Sequence, residues 1–174
     1  SSMDFIFSTM VFNALNGNAG TVNLEIGGYD YHNGTRASGD LKDREAGVVI
    51  GKVLESFASM KKRGFIVVTS DGSVSSPESD TAGGPWVSDR GSSGCAYMIA
   101  YDPIVAPKTK SFQLGHFNSG QAADESFLTG GSPETAAGAM LVNYLAFNKK
   151  TSLVESLLPR IFDAAQIELM SVIG

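Results

Sequence analysis

Apolar residues fill most positions of residues 3–15, Met-Asp-Phe-Ile-Phe-Ser-Thr-Met-Val-Phe-Asn-Ala-Leu, and Asn16-Gly17-Asn18-Ala19-Gly20 closes the run. Such density with a glycine stop predicts a helix that needs cover on several sides. Residues 21–26 alternate polar and apolar at the period of a short strand, ended by Gly27-Gly28, and a polar loop covers 29–39. From 40 to 63, Leu41, Val48, Val49, Val53, Leu54, Phe57 and Met60 recur at helical spacing, and Gly64 offers a stop. Residues 65–69, Phe-Ile-Val-Val-Thr, form a continuous β-branched run, which predicts a strand buried on both faces of a parallel sheet.

Strand, helix and strand in that order make a right-handed crossover unit. Residues 70–93 are rich in Gly, Ser, Pro and Asp and too long for a plain connection, so they read as a functional loop. A further strand is expected over 94–101, ended by Asp102-Pro103, and another or an edge strand over 111–117. Ser132 as N-cap with Pro133 at the first helical position opens a helix running through Phe147. Helical segments follow at 153–158 and 161–172, separated by Pro159. The expected architecture is one α/β domain over residues 1–174, a mostly parallel sheet with helices on both faces.

Composition supports a folded chain. At 174 residues, 43% hydrophobic and 18% charged, it can bury roughly 70% of its unfolded surface. The formal charge is −5, and the basic runs Lys61-Lys62-Arg63 and Lys149-Lys150 fall at expected helix C-termini, so a nucleic-acid partner is not expected. Cys95 is the only cysteine, which excludes an internal disulfide and a thiolate zinc cage; within the apolar run 94–100 it reads as a buried small thiol. No apolar stretch reaches the ~20 residues that a bilayer span requires. The uncovered first helix predicts either a homodimer through Phe5, Phe7 and Phe12 or cover from an upstream segment of a larger protein.

Candidate chemistry gathers where an open parallel sheet would put it, in the loops after its strands. Asp30 and His32 supply an oxygen and an imidazole two residues apart, Asp71 adds a carboxylate, and Asp89 with Arg90 lies within reach in the long loop. Such donors suit a divalent ion such as zinc, manganese or calcium with open positions. The alternative is turn chemistry, with Asp71-Gly72 as an ordinary turn and His32 as a loop cap. Ser73 and Ser92-Ser93 are turn formers or substitute nucleophiles without an adjacent histidine base, Ser73 is also a candidate substrate contact, and Arg90 binds an anion or pairs with Asp89 or Asp80. His116 either completes the site or is a satisfied edge-strand histidine, and Trp86 anchors the loop or flanks a substrate. No nucleotide cofactor is expected.

The order Gly27-Gly-Tyr-Asp-Tyr-His32, a helix, a β-branched strand and Thr69-Ser-Asp-Gly-Ser73 resembles bacterial exported proteins of the alkaline-phosphatase-like superfamily. It is similar in particular to the branch with Gly-Gly-Phe-Asp-Thr-His and a later Ser-Glu-Phe-Gly-Arg. The resemblance covers residues 3–102. It implies an α/β/α sandwich, a periplasmic or extracellular location, and hydrolysis of phosphate or sulfate esters by two metal ions beside a Ser or Thr nucleophile. It places Asp30 and His32 on one metal and Asp71 on the other; from the residues themselves, Asp89 is a further candidate ligand and Arg90 and Ser73 are candidate substrate contacts. The chain departs from the pattern in carrying Gly72 where a histidine follows the second-site aspartate, and Asp89-Arg90 where a final histidine belongs. It also lacks the upstream strand–helix junction that carries the nucleophile, so no catalytic residue is assigned. A binding or structural module without turnover is therefore the second reading. A part of a larger exported protein, with the nucleophile upstream, is the third.

Overall fold

The computed structural model describes residues 2–29, 36–69, 73–75, 87–90, 95–119 and 123–174, with backbone alone at 2–4, 73–75 and 87–90. Its elements run α1 (Ser2–Leu15), α2 (Arg36–Ser59), β1 (Gly64–Val68), β2 (Ser73–Ser75), β3 (Val87–Arg90), β4 (Tyr97–Tyr101) and α3 (Pro133–Phe147). A 3-10 turn at Thr151–Leu153, α4 (Val154–Leu157) and α5 (Ala164–Met170) complete them. β1 pairs with β4 and β2 with β3, as two separate two-stranded ribbons.

The mostly parallel sheet with helices on both faces, the α/β/α sandwich of the alkaline-phosphatase-like fold, is therefore not the architecture. Its first strand is missing. Residues 21–26 keep their alternation, with Val22, Leu24 and Ile26 half-buried between exposed neighbours, yet no strand is assigned there. Alternation gives a half-buried extended chain, but a strand also needs a ladder partner, which local sequence does not specify. The β-branched run does form β1, but it has one neighbour and leaves Val67 exposed. Residues 111–117 carry no strand, only an isolated antiparallel bridge between Phe117 and Ala123. Residues 70–93 contribute β2 and β3.

The chain divides into two compact units, one comprising residues 1–64, 74–89 and 101–104 and the other 65–73, 90–100 and 105–174. In the first, α1 meets α2 through Phe7 and Val11 against Val49 and Val53, while Phe5 (73%) and Phe12 (55%) stay exposed. At the end of α2 the Lys62 N–H bonds to Phe57 O at 2.9 Å and the Lys61 N–H to Ala58 O at 3.1 Å. This is a Schellman cap with Lys61 in the left-handed region at φ 53°, so the stop precedes Gly64. Gly64 serves a close approach instead, since a Cβ there would lie 2.0 Å from the buried Phe57 ring. Tyr101 packs on that ring at 6.1 Å between centroids, and Arg63 Nε pairs with Asp102 Oδ2 at 2.7 Å.

The second unit is built on α3. Ser132 caps it by accepting from the Thr135 N–H at 3.2 Å, with Pro133 at the helix start. Its buried face, Ala139, Val142 and Leu145, packs with Val154, Phe162 and Met170. Gly138 lets Phe162 pass close, because a Cβ would meet its ring at 2.6 Å. Phe147 joins Val172 and Ile173 in a second cluster, covered by Phe65, Met98, Ala100 and Leu114 from the β1–β4 ribbon and the following loop. Asp163 and Gln166 form a reciprocal capping box at the start of α5. Asn143, fully buried on α3, donates to Ala139 O and Met170 O and accepts from the backbone N–H groups of Val172 and Ile173. At the end of α3 Lys149, at φ 57°, repeats the left-handed cap of Lys61, with the Lys150 N–H on Leu145 O at 2.8 Å.

Candidate functional site

Of the residues singled out from sequence, Asp30, His32 and Asp71 lie outside the described residues, as do Asp80, Trp86, Ser92 and Ser93. Ser73 opens β2, while Asp89 and Arg90 close β3. Because β2 and β3 pair with each other, the strand that begins two residues after Asp71 lies beside the strand that ends in Asp89-Arg90. That pairing joins two parts of the long segment that sequence reasoning treats as one loop.

Immediately before Asp30, Tyr29 is fastened to α2. Its hydroxyl donates to Lys42 O at 2.9 Å, and Lys42 Nζ sits 5.8 Å from the centre of its ring. Lys42 in turn pairs with Glu45 at 2.8 Å. Gly28, at φ 88°, permits this approach, since a Cβ there would stand 3.2 Å from Lys42 Cε. Partial burial, followed by the nearby Glu45 carboxylate, raises the Tyr29 pKa and keeps the phenol protonated. The hydrogen bond from Lys42 to Glu45 raises the lysine's pKa and keeps it cationic. Sequence reasoning misses this clamp, because nothing in the spacing of Tyr29 and Lys42 marks them as neighbours.

His116 does not join the other candidates. Its Nε2 pairs with Asp124 Oδ2 at 2.8 Å, and its carbonyl accepts from the Asp124 N–H at 2.9 Å. It is a satisfied loop histidine rather than an edge-strand one. Ser126 Oγ donates to Asp124 Oδ1 at 2.6 Å. A Ser–His–Asp nucleophile requires the imidazole between hydroxyl and carboxylate, whereas here the carboxylate stands between the other two, so the group does not activate Ser126. Hydrogen bonds from Ser126 and then the His116 charge hold the Asp124 carboxyl below its ordinary pKa.

Cys95, expected to be buried, is exposed, with its Sγ 3.8 Å from the Tyr97 hydroxyl. The apolar run that follows it reaches the core only at Met98 and Ala100, which pack against the cluster of Phe147, Val172 and Ile173. Among the described residues no group of three His, Cys, Asp or Glu side chains is placed to hold a metal ion. The cleft of Phe7 and Val11 against Val49 and Val53 admits little more than a water molecule. No helix among the described residues is long and apolar enough to cross a membrane.

No protein-family model, curated protein or solved structure matches the chain.

Proposed function

We propose that this chain is a divalent-metal protein related in chemistry to the exported phosphate and sulfate ester hydrolases, with Asp30, His32, Asp71 and Asp89 as metal ligands. Arg90 and Ser73 contact the ester. The pairing of β2 with β3 carries the reading, since it ties the strand following Asp71 to the strand that ends in Asp89 and Arg90. The clamp of Tyr29 on Lys42 adds support, because it fixes the chain directly before Asp30. A zinc, manganese or calcium ion held there would stabilise developing charge on an ester oxygen. A periplasmic or extracellular location follows from the same resemblance. The reading rests on these motifs and pairings and does not involve an α/β/α sandwich.

A second reading, binding without turnover, is favoured by a specific residue. Gly72 occupies the position after Asp71 where the hydrolases carry a histidine, which leaves the second metal short of a donor. Exposure of Phe5 and Phe12 on α1 supports self-association, although Phe7 faces α2. Light scattering that finds a monomer would exclude the dimer.

Elemental analysis of unchelated protein, alongside Asp30→Asn and Asp71→Asn, tests the reading. Stoichiometric metal that disappears in both variants, together with turnover of an aryl phosphate or sulfate, is the expected result. Metal without turnover selects the second reading, and protein free of metal sinks the hydrolase and leaves the binding or structural module.

A further inference from the structure

Between Asp102 and Asp124 the chain has no aspartate or glutamate, yet it carries Lys108 and Lys110, in a protein of formal charge −5. In the same stretch Phe112 is 98% exposed and Val105 66% exposed, and both lysines are exposed. A single exposed apolar residue needs no explanation, but this phenylalanine is held outward by its backbone. Thr109 forms an antiparallel bridge with Ile173, the Lys110 N–H bonds to Val172 O at 2.8 Å, and the Gly174 N–H bonds to Lys108 O at 3.0 Å. Val172 and Ile173 are themselves fixed by Asn143.

Beyond Phe112 the chain is tied again. Ser111 Oγ donates to Gln113 O at 2.8 Å, Gln113 Nε2 donates to Gly115 O at 2.7 Å, and Leu114 packs into both core clusters. The segment is therefore ordered on both sides of an aromatic ring that makes no use of the core two residues away. Its ordering cost is already met by folding, which favours insertion of the ring elsewhere.

We propose that residues 105–112 form a membrane-surface contact, in which Phe112 and Val105 enter the acyl boundary of an anionic lipid layer. Lys108 and Lys110 meet the lipid phosphates, their alkyl stems lying along the apolar surface. Charge complementarity selects this occupant: the segment is locally cationic on an acidic protein, whereas α1, which also exposes apolar side chains, contains no lysine or arginine. Apolar insertion and lysine contacts are individually weak and act together, giving reversible binding that depends on salt.

Flotation of the full chain with phosphatidylcholine vesicles, with and without phosphatidylglycerol, tests this. Binding is expected only to the anionic vesicles. Phe112→Ser should weaken it about tenfold, and Lys108→Glu with Lys110→Glu should abolish it, while the circular dichroism melting curve of each variant matches the parent. Failure to float with anionic vesicles, equal flotation with neutral ones, or binding unchanged by Phe112→Ser would each overturn the proposal.

Discussion

The side-chain carbonyl of Asn143 accepts the backbone N–H of Val172 at 2.9 Å, across 29 residues of chain. It also accepts the Ile173 N–H at 3.1 Å, while its amide donates to Ala139 O and Met170 O at 2.8 Å each. A buried asparagine with every hydrogen-bonding group occupied stabilises the core it crosses, whereas a half-satisfied one would weaken it. Asn143→Ala strips two buried N–H groups of their acceptor and should destabilise the second unit by roughly 3 kcal/mol. A urea midpoint close to that of the parent would disprove this account of the site.

Lys149 holds a left-handed backbone conformation at φ 57°, which glycine adopts at less cost. Lys149→Gly should therefore stabilise the protein by about 0.5–1 kcal/mol, raising the melting temperature by roughly 2–3 °C. Loss of stability on this change would mean that the exposed lysine side chain contributes more than its backbone conformation costs.

Asp124 is held below its ordinary pKa by hydrogen bonds from Ser126 and by His116, so its ionised form is favoured by the fold. Its contribution to stability is present above the unfolded-state pKa, at neutral pH, and is lost as pH falls through the depressed folded-state value. The Ser126 N–H donates to Asp124 Oδ1 at 2.9 Å, so the protection of this amide from exchange, relative to its intrinsic rate at each pH, should fall on acidification below the ordinary carboxylate range in the parent. Asp124→Asn should abolish that fall in protection, and protection unaffected by acid in the parent would rule the contact out in solution.

Tyr29→Phe removes the hydroxyl that bonds to Lys42 O and leaves the ring beside the lysine. If Asp30 ligates a metal, affinity should drop about tenfold, with global stability changed by no more than ~1 kcal/mol. Titration calorimetry with manganese reads this directly, and equal affinity in the two proteins would separate Tyr29 from the metal site.

Signals carried by short stretches are legible in the sequence. Ser132-Pro133 marks the start of α3, the helical spacing from Leu41 to Phe57 marks α2, and the lysine runs stand at helix ends. What these residues do is only partly legible: Lys61 and Lys149 cap their helices through a left-handed backbone, beyond any electrostatic effect at the helix end. Sheet order is not legible, because a run such as Phe65-Ile-Val-Val68 specifies burial and says nothing about its partner. The alternation in 21–26 is real and still makes no ladder. For the candidate site, the motif residues Asp30, His32 and Asp71 stand out by their chemistry. The neighbouring strands of Ser73 and of Asp89-Arg90 do not, since residues 70–93 have no hydrophobic period from which to read a pairing.

The two-sided wiring of Asn143 also bears on chemical ageing. Deamidation would replace its nitrogen with oxygen and turn a carboxylate toward the carbonyls of Ala139 and Met170, converting two attractions into repulsions. The position inside α3 restrains that reaction, because the helix holds the following peptide nitrogen away from the side-chain carbonyl it would have to attack. Intact protein should keep this amide long after exposed asparagines such as Asn16 and Asn18 have converted, as peptide mapping of aged samples would reveal. Its early loss would report that the helix opens, making this one amide a clock for native-state breathing.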